Sequence, residues 1–109
     1  MLSEDPFYEE YALICKAIVS PVRLKIIETI GVEKPNVSEI QAKLHISMSN
    51  LSNHLSALHR IGVIGREKKG NFIYYYLMET DLLEVLEKMK AVIRSIASKK
   101  NKIMIESNI

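Results

Sequence analysis

Two helical segments joined by a three-residue turn constrain this chain more than any other feature. The first, Val37 to Leu44, carries Ser38 and Gln41 at the spacing of a capping box. The turn His45-Ile46-Ser47 follows, and Ser47 is placed to cap the second segment with its hydroxyl. There Leu51, Leu55 and Leu58 recur at spacings of four and three, one helical face, until Gly62 ends the pattern. Two helices joined this tightly form a helix-turn-helix unit.

The second helix is unusually rich in reactive groups. "SMSNLSNHLSALHRIG", Ser47 to Gly62, holds four serines, two histidines and two asparagines. At about 100° per residue, Leu51, Leu55, Leu58 and Gly62 fall in one arc. Ser49, Asn53, Ser56 and Arg60 form a second stripe opposite, with Asn50 and Ala57 on one shoulder and Ser52 on the other. Catalysis needs a nucleophile with a base in reach and a group to orient that base. His54 and His59 lie roughly 140° apart on the wheel, and the nearest acids in sequence, Glu39 and Glu67, lie outside the helix. No Gly-rich phosphate loop and no H-E-x-x-H is present. A metal clamp would want histidines four apart on a helix, which His45, His54 and His59 do not supply. His54 falls beside the leucine stripe and is expected as a half-buried imidazole bonded to a backbone carbonyl, while His59 is expected on a solvated flank. Small uncharged donors and acceptors suit a surface that meets base edges and phosphates.

The flanking segments continue the pattern. Phe7, Tyr11, Ile14 and Ile18 make a helical stripe, and "SPVRLKIIETIG" restarts a helix with Ser20 as cap, Pro21 in the first turn and Gly31 at the end. Val22, Ile26, Ile27 and Ile30 are its expected buried side. In "VIGREKKGNFIYYYL" two β-prone runs flank "KKGN", where Gly70 and Asn71 both tolerate positive φ, so a β-hairpin is expected. Ile73, Tyr75 and Leu77 share one face of its second strand, and Phe72, Tyr74 and Tyr76 the other. Thr80 or Asp81 then caps a last helix whose stripe is Leu82, Leu86, Met89, Ile93 and Ile96, widened by Val85 and Val92. The expected fold is mainly α with a two-stranded wing, in the order α-α-α-α-β-β-α. Residues 1–98 form the single domain, and 99–109, without a clear period, form a tail that is frayed or dependent on a partner.

Composition narrows the functional classes. At 109 residues the chain suits one core, and 48% hydrophobic with 26% charged residues excludes a disordered protein. Net charge is only +2, so any affinity for polyanions must come from local clustering. Arg66, Lys68 and Lys69 provide that beside the Gly70 turn. One cysteine permits neither an internal disulfide nor a multi-cysteine zinc site. No apolar run nears a membrane span, and "MLSEDPFYEE" lacks the pattern of a signal peptide, so a cytoplasmic setting is expected.

The residues themselves match a known family. "AIVSPVRLKIIETI" resembles the second-helix signature of the ArsR/SmtB-type winged helix-turn-helix regulators, with Pro21, Arg23, Ile26 and Ile27 in place. "NVSEIQAKLHISMSNLSNHLSALHRIGVI" is similar to their reading unit through Ser52, His54, Leu55, Leu58 and Gly62. "REKKGNFIYYYL" is similar to their wing through Gly70, Tyr74, Tyr75 and Leu77. The resemblance covers roughly residues 12–98. It implies that the helix from Ser47 to Ile61 enters the major groove of duplex DNA while the wing reaches an adjacent minor groove or phosphates.

With the wheel, the resemblance gives as candidate DNA contacts Ser38, Ser47, Met48, Ser49, Asn50, Ser52, Asn53, His54, Ser56 and Arg60, and in the wing Arg66, Lys68, Lys69 and Asn71. Of these, His54 corresponds to a supportive histidine of the family. Two departures fall in the wing, where Asn71 and Tyr76 stand at positions the family usually fills with arginine. Wing contacts are therefore expected from Arg66, Lys68 and Lys69. Metal-sensing members carry a cysteine pair in the third helix or Asp and His ligands on the last. Here the third helix has no Cys and the last has no His, so no metal and no other cofactor is expected.

Both end helices carry more apolar surface than a short domain needs for itself. Pairing Phe7, Tyr8, Tyr11 and Ile14 with Leu82, Leu86, Met89, Ile93 and Ile96 across a two-fold axis would make a homodimer with its reading helices about 34 Å apart. Cys15, near the edge of the first stripe, is expected as a small buried hydrophobe, with a redox switch as the alternative. The expected function is a homodimeric, metal-independent transcriptional repressor on an inverted-repeat operator, and not an enzyme. A weakly specific architectural DNA binder and a winged-helix protein-interaction module are the alternatives.

Overall fold

Each of the first four helices begins on a side-chain oxygen that accepts from an amide otherwise left without a partner. In the computed structural model, which describes residues 5–107, Asp5 caps α1 (Pro6–Ile18) at the Phe7 amide. Ser20 caps α2 (Pro21–Ile30) at Arg23 and Ser47 caps α4 (Met48–Arg60) at Asn50, each at 3.2 Å. The expected box at Ser38 and Gln41 is corrected. Helix α3 (Val37–Leu44) starts from Asn36, whose side chain accepts from the Glu39 amide at 2.9 Å while the Asn36 amide donates to the Glu39 carboxylate at 3.1 Å. Starting there turns Ile40 fully inward and leaves Ser38 exposed in the first turn. Gln41 instead donates to the Ile46 carbonyl at 3.3 Å and steadies the turn. His45 ends α3 at φ 55°, a left-handed conformation in which His is commoner than most residues.

The core gathers one face of every inner element. Ile26, Ile27 and Ile30 of α2, Ile40 of α3 and Leu51, Leu55 and Leu58 of α4 are all essentially buried. Val22, expected with them, is only partly buried. Strands β1 (Ile64–Lys69) and β2 (Phe72–Leu77) pair antiparallel, from Ile64 opposite Leu77 to Lys69 opposite Phe72. Tyr75 and Leu77 are buried with Ile73 beside them, as alternation predicts. Gly70 has φ 61°, but Asn71 does not take positive φ, which corrects the expectation for that residue. Positive φ at the first central residue alone is the type II′ pattern, which suits Gly-X. A bond from the Tyr75 amide to the Pro35 carbonyl, 2.9 Å, fastens the wing to the loop before α3.

Gly65 leaves room for the Tyr76 ring to lie over its backbone. A Cβ there would lie 2.3 Å from Cζ of Tyr76, its cross-strand partner.

Helix α5 (Leu82–Ser107) packs on the body through its first turns. Leu82, Leu83 and Leu86 pack on the core, and Lys90 donates to Glu87 at 3.0 Å and pairs with Glu28 of α2 at 2.5 Å. Every side chain from 91 to 106 is exposed. In the segment expected as a tail, frayed or dependent on a partner, α5 continues unbroken through 99–107. That segment holds lysines and Met and contains neither Gly nor Pro, so nothing local stops the helix. The first four residues of the expected domain and the last two of the expected tail lie outside the described residues.

Candidate nucleic-acid interface

Helix α4 separates a dry face from a polar one. Leu51, Leu55 and Leu58 anchor it, while Met48, Ser49, Asn50, Ser52, Asn53, Ser56 and Arg60 are all exposed. The outward stripe drawn from the wheel is therefore present along the whole helix. Ser47 commits its hydroxyl to the Asn50 amide and lies 3.5 Å from the Ser49 hydroxyl, so it shapes the first turn of the helix. The amides of that turn and the positive end of the helix dipole favour an anion.

His54 differs from expectation. Its Nδ1 accepts from Nε of Arg23 at 3.0 Å, so it does not donate to a backbone carbonyl through that atom. In the neutral ring the proton then sits on Nε2. Arg23 also donates from Nη1 to the Ala17 carbonyl at 2.9 Å. One guanidinium therefore connects the last turn of α1, the first turn of α2 and the middle of α4. His59 is half-buried, where a solvated flank was expected.

Burial, and then the positive charge of Arg23, hold the His54 imidazole below its ordinary pKa of 6.5. Protonation would remove the acceptor and set two cations together. The unfolded chain binds the proton more readily, so this contribution to stability is complete above pH 6.5 and is lost as pH falls below it. Thermal unfolding is expected to show a steeper loss on acidification in the wild type than in His54→Gln. Equal slopes would contradict that role for His54.

The wing presents Arg66, Lys68 and Lys69, all exposed, with Asn71 exposed in the turn. Lys69 is 4.0 Å from Glu67 and 6.0 Å from the Tyr74 ring centre. Among the described residues Arg66 and Lys68 make no ion pair. Lys34, not singled out from the sequence, sits 5.8 Å from the Tyr76 ring centre and adds a cation beside the wing. Only the register that places Tyr76 beside the α2–α3 loop reveals it.

The residues expected at a dimer interface divide into two groups. Phe7, Tyr8, Tyr11, Met89, Ile93 and Ile96 are exposed, and the Phe7 ring packs edge-on against both tyrosines at 5.6 and 5.9 Å. Ile14, Leu82 and Leu86 lie partly against their own core. Cys15 is exposed, which corrects its placement as a buried hydrophobe. Ile14 and Ile18 take the inward face of α1, and the next residue is turned about 100° away from Ile14. Among the described residues no group of three or more His, Cys, Asp or Glu is placed to hold a metal ion. No helix among them is long and apolar enough to cross a membrane.

A helix-turn-helix with an outward polar stripe, followed by a cationic hairpin, defines a winged helix-turn-helix domain. The pattern of the bacterial regulatory protein, arsR family, matches residues 20–65. The transcriptional repressor SdpR of Bacillus subtilis is 34% identical over 76 residues, which span 70% of this chain and 84% of SdpR. The crystal structure of Rv0081 from Mycobacterium tuberculosis superposes with a TM-score of 0.79 at 28% identity, covering 89% of this chain and 98% of that one. A homodimeric winged helix-turn-helix DNA-binding domain, Mb0332 of Mycobacterium bovis, shares the fold with a TM-score of 0.71 at 20% identity, covering 81% and 82% of the two chains. The chain belongs to the arsR family and is a DNA-binding transcriptional regulator, not an enzyme.

Proposed function

We propose that the protein is a homodimeric repressor that binds an inverted-repeat operator in duplex DNA and needs no metal ion to do so. The observation that carries this is the exposed stripe of Ser49, Asn53, Ser56 and Arg60 on a helix anchored by three buried leucines. Asn53 is central to the stripe and can meet adenine bidentately, so it is the residue assigned to base reading. Arg66, Lys68 and Lys69 of the wing are assigned to phosphates, which fix the register of the protein on the duplex. Ser38, exposed at the start of α3, is assigned to the backbone as well.

Dimerisation rests on exposed apolar surface. Phe7, Tyr8 and Tyr11 on α1 and Met89, Ile93 and Ile96 on α5 are each half or more exposed in the single chain. A second copy placed on a two-fold axis would cover both faces and present two reading helices to one side of the duplex. SdpR is a repressor, and occlusion of a promoter by a bound dimer requires no catalysis. Metal independence is supported by the third helix without Cys and the last without His.

The test is a titration of wild type and Asn53→Ala against a selected operator and random duplexes at several salt concentrations. Asn53→Ala is expected to lose about ten- to a hundredfold of the preference for operator, the cost of one bidentate base contact of about 1–3 kcal/mol. Its binding to random duplexes should be unchanged. Unaltered preference would remove Asn53 from the reading face. Uniform, steeply salt-dependent binding by the wild type would indicate an architectural DNA binder instead. No binding to either duplex would leave a protein-interaction module.

A further inference from the structure

Among the described residues, partly buried Arg23 has no carboxylate within ion-pair distance. Of its five N–H groups, one donates to a neutral imidazole and one to a backbone carbonyl. Among the described residues neither Arg23 nor Arg60 takes part in an ion pair. The remaining N–H groups of Arg23 are left for solvent or a ligand, and a planar carboxylate matches a guanidinium fork. Both arginines line the same groove between α1 and α4, about 360 Å³ in volume. Leu13, Ala17, Ala57 and Ile61 supply the rest of its walls. That volume falls within the range of small-molecule sites, about 300–1,000 Å³.

We propose that this groove binds a small organic monocarboxylate, its carboxylate between Arg23 and Arg60 and its apolar body against Leu13, Ala17, Ala57 and Ile61. Guanidinium forks match the planar carboxylate, and the apolar walls favour a ligand with a hydrocarbon body over inorganic phosphate. The groove is bounded by a helix proposed to dimerise and by the last turn of the reading helix. A carboxylate that holds Arg60 also removes it from the DNA-facing stripe. Ligand and operator are therefore antagonists, each weakening the other by the same factor. This regulatory half rests on the DNA-binding proposal, whereas the binding site itself does not.

The full chain, without DNA, is titrated at constant ionic strength with benzoate, with hexanoate and separately with inorganic phosphate, followed by amide NMR. Saturable shifts centred on Leu13, Ala17, Ala57 and Ile61 are expected with benzoate or hexanoate. Affinity should fall about tenfold or more in Arg60→Gln, from loss of one charged hydrogen-bond donor. Leu13→Glu should have a similar effect, since it places a competing carboxylate at a position 54% exposed and tolerant of change. No saturable shifts, equal response to phosphate, or shifts indifferent to both substitutions would overturn the site. In a second arm, the carboxylate is expected to weaken operator binding by the wild type and not by Leu13→Glu. Carboxylate binding that leaves operator affinity unchanged would overturn the antagonism alone. A protein that binds carboxylate but no DNA would instead contradict the DNA-binding proposal and leave the site standing.

Discussion

Replacing Ile93 and Ile96 together by glutamate is expected to yield a folded 12.5 kDa monomer whose affinity for an inverted-repeat operator falls about 10²–10³-fold. Both side chains are more than half exposed, and every side chain of α5 from 91 to 106 is exposed. The substitutions therefore remove little from the folded monomer. In a dimer each isoleucine would be covered, a gain of about 1.5–3 kcal/mol per fully buried side chain. Glutamates in their place would be charges withdrawn from water without partners. Operator affinity falls because the second half-site is no longer held close once the first is bound. Sedimentation with thermal unfolding checks the prediction. A wild type that is monomeric at micromolar concentration, or a doubly substituted protein that still dimerises, would contradict the assigned interface.

Leu55→Ala is expected to cost about 2–5 kcal/mol, a large part of the roughly 5–15 kcal/mol available to a domain of this kind. Leu55 is 1% exposed and lies between Leu51 and Leu58 on the face that fixes α4 to the core. The cavity is left by a residue next to His54, so the Arg23 contact that links α1, α2 and α4 would loosen with it. Chemical denaturation should show a lower midpoint at unchanged slope, and operator binding should fail at a lower temperature than in the wild type. A loss below about 1 kcal/mol would mean that α4 is held mainly by other contacts.

Local pattern carried much of the fold and little of the tertiary chemistry. The faces of α4, the Ser47 cap and the inward side of β2 follow from spacing, because each depends on residues within one turn or one strand. The start of α3 was less legible. Ser38 with Gln41 and Asn36 with Glu39 have the same spacing, and the choice depends on burying Ile40 in the core. The bond between Arg23 and His54 spans 31 residues, so no local period reports it, although both residues lie in runs that resemble the family. The exposure of Cys15 is not legible from spacing, because a position at the edge of a stripe can turn either way, and the packing of Ile14 and Ile18 sets the orientation of α1. Residues 99–107 show no apolar period, yet they contain nothing that breaks a helix, and α5 continues through them.

Selection from a pool of randomised duplexes with the purified full-length protein tests the central claim most directly. The account predicts enrichment of an inverted repeat whose half-site centres lie about one helical turn, roughly 10–10.5 base pairs, apart. Recovery of duplexes without any shared sequence, bound with the same salt dependence as the starting pool, would contradict it.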